Sequence, residues 1–162
     1  MTQEDKDLLL KDLCARLPYG IKAALGNESN PNPYTIYGIT PSAIMQSVIA
    51  AKSKDGIPIY TDNILGFKPY LRPMSSMTEE EKNEILILMF DSHADKFYIT
   101  SEGEIAAKDT DLMKEGLNFV SFHPCNIDIY ENYLNSHHFD YRGLIEKGLA
   151  IEAPSDMYNL KH

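Results

Sequence analysis

Residues 67–82 read FKPYLRPMSSMTEEEK, and their reading divides the chain. Pro69 and Pro73 each push the preceding residue away from helix, so 67–77 reads as an ordered, extended linker docked through Tyr70, Leu71 and Met74. Thr78 then opens a helix, with Glu81 at the reciprocal capping position and Glu79, Glu80 and Glu81 opposite the positive helix end. Ile85, Leu88 and Met89 are its expected buried face. An N-terminal unit over 1–66 and a C-terminal unit over 78–162 are expected on either side.

Upstream, Thr2 and Asp5 make a capping-box-like start. Leu10, Leu13, Cys14 and Leu17 recur at helical spacing, predicting a helix that Pro18 ends, with Cys14 buried as a small hydrophobe. From 19 to 63 the texture changes to short apolar, β-branched or aromatic runs at 20–25, 34–40, 45–51 and 57–61. GNESNPNP, the Pro41-Ser42 step and KSKDG separate them with turn chemistry. Such spacing predicts a small, strongly bent antiparallel sheet or SH3-like β barrel, the barrel being the leading expectation. The run SAIMQSVIAAK at 42–52 also suits a helix by propensity, but the sheet needs it as a strand.

Downstream, 96–101 and 104–108 read as strands joined by a SEGE turn, and 117–122 as another strand ended by Pro124. Ile127, Tyr130 and Leu134 are helically spaced. Asp140 is placed to cap a short helix over 141–147. Gly148 then takes the left-handed stop position, with Leu149 reaching Leu144. The expected class is α+β: N-terminal helix, small barrel, proline linker, helix, then a smaller α+β unit.

The formal net charge of −9, from 15 basic and 24 acidic residues, repels phosphate backbones. The cations are scattered, Lys52 and Lys54 being the nearest to a patch, so nucleic acid is an unlikely partner. Ten Tyr, six Phe and no Trp supply large rings, and the tyrosines suit core edges or contact surfaces. Cys14 and Cys125 form neither a disulfide framework nor a CxxC metal pair, which suits reduced thiols. The longest apolar run, 85–90, is too short to cross a membrane, and the N-terminus lacks a basic-then-apolar signal. A cytoplasmic protein is the expectation.

Chemistry-bearing residues concentrate in NSHHFDYRGLIEKGLAIEA at 135–153. His137, His138 and Asp140, joined by His93 or His123, have the ligand types of a divalent metal site. Asp91, His93 and Asp95 alternate, so a strand would bring all three to one face. Helix ends and caps explain both clusters more economically, and no metal or other cofactor is expected. His123 and Cys125 straddle Pro124, a spacing that seldom aligns a nucleophile with its base. Arg72 in PYLRP and Arg142 in DYRG stand beside tyrosines, a pairing that grips carboxylate or phosphate or ties a linker to a body. No GxxxxGK[ST], GxGxxG, GxSxG, HExxH or paired CxxC motif occurs, which disfavours the enzymes that use them.

Three blocks, LLLKDLCARLPYG at 8–20, FKPYLRPMSSMTEEEK at 67–82 and HFDYRGLIEKGLAIEAP at 138–154, resemble a family of uncharacterised proteins of gut Bacteroides-type bacteria, their phages and other mobile elements. The resemblance implies a bacterial cytoplasmic or phage-accessory setting and no catalytic role. The leading expectation is a non-enzymatic binding protein whose partner surface carries Tyr34, Tyr37, Tyr70, Arg72 and Tyr141. A pocket for a small anionic ligand such as a nucleotide, held by Arg72 and Arg142, is the alternative. A metal-dependent hydrolase using His93, His137, His138 and Asp140 ranks last.

Overall fold

The computed structural model describes residues 2–26, 33–40, 48–61, 66–108 and 124–158. It separates into two compact units, one of Met1–Arg72 with Asn135–His162 and one of Pro73–Leu134. The class is mixed α+β.

In the first unit, α1 (Gln3–Arg16) starts with the expected capping box: Asp5 N–H donates to Thr2 Oγ1 and Thr2 N–H to Asp5 Oδ2. Its buried face is Leu9, Asp12, Leu13 and Arg16. Cys14 is exposed rather than buried, because the inward stripe carries a charged pair where a purely apolar one was expected.

Strands β1 (Lys22–Leu25), β2 (Tyr34–Thr40), β3 (Val48–Lys52), β4 (Pro58–Thr61), β5 (Phe67–Leu71) and β8 (Ile151–Glu152) form one sheet in the order β4-β3-β2-β1-β5-β8. The pairs are antiparallel except β5–β8, which is parallel. The expected SH3-like barrel is not found: among the described residues the sheet stays open, with β4 and β8 at opposite ends. Within 42–52, Val48–Lys52 is strand, and 42–47 lies outside the described residues.

The stretch expected to be a linker begins inside this sheet, because Phe67–Leu71 is β5, between β1 and β8. Pro69 is tolerated there for a geometric reason. Gly26 N–H donates to Gly66 O at 2.7 Å, and Ala23 faces Pro69 three pairs further on, a position where antiparallel alternation asks no N–H of Pro69. The strand packs inward through Phe67 and Leu71, which join Leu9, Leu13, Ile21, Ile36, Ile49, Leu144 and Leu149 in the core.

Residues 141–148 form turns instead of the expected short helix. Gly143, at φ +69°, leaves the right-handed helical region inside that segment. The cap and the stop are nevertheless where the sequence puts them. Asp140 accepts from Leu144 N–H and Ile145 N–H, each at 2.8 Å. Gly148 is left-handed at φ +67°, and Leu149 N–H donates to Leu144 O at 2.9 Å.

In the second unit, α2 (Glu79–Phe90) carries the full capping box between Thr78 and Glu81. Its buried residues are Glu81, Ile85, Leu86 and Met89, so Leu86 takes the place expected of Leu88, which is exposed. Strands β6 (Phe97–Ile99) and β7 (Ile105–Ala107) form the expected hairpin, and Phe97 stacks on Phe90 with ring centres 4.3 Å apart. Helix α3 (Pro124–Ser136) begins at a proline, a residue suited to the first helical position. The strand expected at 117–122 lies outside the described residues. No helix among the described residues is long and apolar enough to cross a membrane.

Candidate functional site

A cluster of exposed side chains suited to recognition lies on the sheet surface of β2, β3 and β4, on the face opposite buried Ile36, Ile49 and Ala51. A register shift between Ile36 and Gly38 makes Tyr37 the extra residue of a β-bulge. Tyr37 is exposed while its neighbour Ile36 is buried, as alternation along a strand requires. Gly38 pairs with Ala50, and Ala50 with Tyr60, so two small residues separate the Tyr37 and Tyr60 positions. The rings are 50% and 66% exposed, and the Tyr37 hydroxyl donates to the Tyr60 hydroxyl at 3.2 Å. That hydrogen bond, with minor burial, raises the Tyr37 pKa.

Thr35, Lys52 and Pro58 form the next cross-strand row. With Gly56 and the two tyrosines they line an open concavity of about 410 Å³. The turn beneath is held by Gly56 N–H to Ser53 O at 3.0 Å, Ser53 N–H to Ile57 O at 3.0 Å and Ile57 N–H to Ser53 Oγ at 3.1 Å. Gly56 sits at φ +82°, a backbone that side-chain-bearing residues rarely adopt. Such a surface offers ring faces, three hydroxyls and one ammonium. Among the described residues its lining carries no carboxylate, imidazole or thiol.

The other expected contact residues are placed elsewhere in the first unit. Tyr34 meets Phe67 edge-on with ring centres 6.3 Å apart and packs against the core. Tyr70 is buried. Arg72 lies over the Phe139 ring at 4.2 Å, and its backbone exchanges hydrogen bonds with the flanking residues, Arg72 N–H to His138 O and Asp140 N–H to Arg72 O. Arg142 donates to Asp12 Oδ1 at 2.8 Å and lies over the Tyr141 ring at 4.3 Å. Tyr141 donates to Asn135 Oδ1 at 3.3 Å. Arg72, Tyr141 and Arg142 thus gather around the 139–142 segment, while Tyr37 stands on the sheet surface.

At the centre of that gathering is a pair that sequence reading missed. Arg16, fully buried, makes a two-pronged contact with Asp12 at 2.8 and 2.9 Å and donates to Phe139 O at 2.7 Å. Asp12 therefore serves two arginines. The i, i+4 spacing on a face shared with Leu9 and Leu13 was the available signal. For Tyr60 no local signal was available, since its approach to Tyr37 depends on the pairing of β2, β3 and β4.

The metal candidates do not assemble. Asp91, His93 and Asp95 lie exposed on a 3₁₀ turn (Asp91–Lys96), whose geometry does not give the single face a strand would. Asp140 spends both oxygens on backbone amides. His137 lies 3.1 Å from Ser136 Oγ and its ring is 6.4 Å from that of Phe139. His138 points into the body, stacked 3.9 Å from the Tyr158 ring. His123 lies outside the described residues, and among the described residues no three metal-ligating side chains come together.

No family model, curated protein or solved structure matches the chain.

Proposed function

We propose that the chain is a non-enzymatic binding protein whose partner is another protein, docking on the Tyr37–Tyr60 face. The observation that carries this reading is the pair of exposed, mutually hydrogen-bonded tyrosines at the concavity lined by Thr35, Lys52, Gly56 and Pro58. Tyrosine is enriched at interface centres because one rigid side chain supplies apolar area and a hydrogen bond at low entropic cost. A cytoplasmic setting in bacteria, with an accessory role for phage or mobile elements, belongs to the same proposal and draws on the three resembling sequence blocks.

The anionic-ligand alternative has less support. Arg142 is committed to Asp12 and Arg72 lies against Phe139, so both guanidinium groups already serve the fold.

Quantitative affinity capture from bacterial lysate tests the reading. The tagged full chain is compared with Tyr37→Ala/Tyr60→Ala and with a control altered elsewhere, Tyr98→Ala. A protein recovered by wild type and control but reduced at least about tenfold by the double variant is the expected result, since two central tyrosines carry about 2 kcal/mol or more of binding. Equal recovery by all three sinks it.

A further inference from the structure

We propose that the C-terminal segment 151–158 is an acid-released latch, closed along β5 at neutral pH and opened when His138 takes up a proton. The proposal goes beyond the tyrosine face and does not depend on it.

The latch is short and anchored at its two ends. At one end, β8 runs parallel to β5, with Ile151 opposite Tyr70 and Glu152 opposite Leu71, and Ala153 N–H donates to Leu71 O at 2.8 Å. At the other end is Tyr158. Its hydroxyl donates to Tyr70 O at 2.9 Å and accepts from Lys22 N–H at 3.1 Å. Lys22 Nζ donates to Met157 O at 2.6 Å and lies 5.4 Å from the Tyr158 ring centre. The flat face of that ring rests on His138.

His138 is built to be neutral. It is 2% exposed, its backbone is left-handed at φ +60°, and its Nδ1 is buried with no hydrogen-bond partner among the described residues. The charged and titratable groups around it oppose a second ring proton: Arg16 from α1, Lys22 from β1 and neighbouring His137, while Tyr158 covers it with a neutral ring. Burial is the largest effect and Arg16 the next, a hydrogen bond to the Tyr19 backbone pulling the other way, and the pKa falls to about 3. Lifting the latch removes the Tyr158 cover and lets water reach the imidazole, which relieves the largest effect and moves the pKa up toward the free value of about 6.5. Protons therefore bind the open form better, and acid favours it.

Hydrogen exchange of the full chain at pH 7.5 and pH 5, corrected for intrinsic exchange chemistry, reads the latch directly. Between those values its opening equilibrium is expected to rise, by up to about 30-fold in the limit where a group titrating near 3 when closed reaches about 6.5 when open. Amides of 151–158 lose protection by that factor, while those of Ile49 and Ala51 in β3 keep theirs. His138→Asn tolerates the left-handed backbone and cannot titrate there, so its latch protection is expected to be independent of pH. Tyr158→Ala removes the anchor and is expected to leave the latch open at both pH values. The proposal is overturned by unchanged wild-type protection, by a pH response that survives His138→Asn, or by loss of β3 and latch protection together.

Discussion

Asp12 and Arg16, one turn apart on α1, form a fully buried ion pair, with Arg16 Nε and one terminal nitrogen on the two carboxylate oxygens at 2.8 and 2.9 Å. Arg142 reaches the same carboxylate from the other end of the chain. One acidic residue thus ties the first helix to the 139–142 segment.

Removing that carboxylate takes the Asp12 counter-charge away from a buried guanidinium. Asp12→Ala is expected to destabilise the protein by about 3–5 kcal/mol, the usual result of breaking a buried pair from one side. Arg16→Met should be milder, at about 1–3 kcal/mol, because Asp12 keeps Arg142 while the Phe139 carbonyl loses a strong donor. Urea unfolding curves of both variants check the order. A larger loss from Arg16→Met contradicts it.

The local signals in the chain were readable because they act within a few residues. Both capping boxes, the Gly148 stop and the 97–107 hairpin lie where spacing and turn chemistry put them. Long-range pairing was not readable. Pro69 looks like a strand breaker until its place in the ladder opposite Ala23 is known. The inward side of α1 was misjudged at Cys14 because a charged pair looks like surface until its partners, Phe139 and Arg142, arrive from more than a hundred residues away. For the candidate site, Tyr37 was legible as an aromatic in a strand. Its meeting with Tyr60 was not, since it depends on which strands pair and in what register.

Tyr158→Phe isolates the hydroxyl from the ring. The stack on His138 survives, but Tyr70 O loses a donor and Lys22 N–H an acceptor in a largely buried place. A loss of about 1–3 kcal/mol in urea unfolding is expected, because buried partners left unsatisfied weigh more than the bond itself. A neutral result would mean that water replaces the hydroxyl.

His138 also makes global stability depend on pH, and the sign follows from the direction of its shift. The folded pKa, about 3, lies below the unfolded value near 6.5, so the unfolded chain binds more protons in between. Stability from this group is complete above about pH 6.5 and is lost as pH falls toward 3, with a limiting slope of about 1.4 kcal/mol per unit. From pH 7.5 to 5 the expected loss is about 2 kcal/mol, in a window where ordinary carboxylates remain ionised. Urea midpoints for wild type and His138→Asn test it, the variant showing little change across that range.

Two glycines with similar backbones separate strain from collision. Gly148 is left-handed at φ +67°, and a methyl group added there meets nothing within 4 Å. Gly148→Ala should therefore cost about 1–2 kcal/mol, the penalty of the left-handed backbone alone. Gly103 has φ +86°, and an added methyl overlaps Met74 Cε and comes within 3.3 Å of the Tyr130 hydroxyl, which donates to Gly103 O. Gly103→Ala should add about 1–3 kcal/mol of overpacking to the same backbone penalty. Met74→Ala in the Gly103→Ala background should recover part of that excess, because the obstructing atom is the end of a flexible side chain. Thermal or urea unfolding of the four proteins (two single glycine variants, Met74→Ala and the Gly103→Ala/Met74→Ala double variant) decides the matter. Strict additivity of the two changes at 74 and 103 would show that the methyl group never reaches Met74.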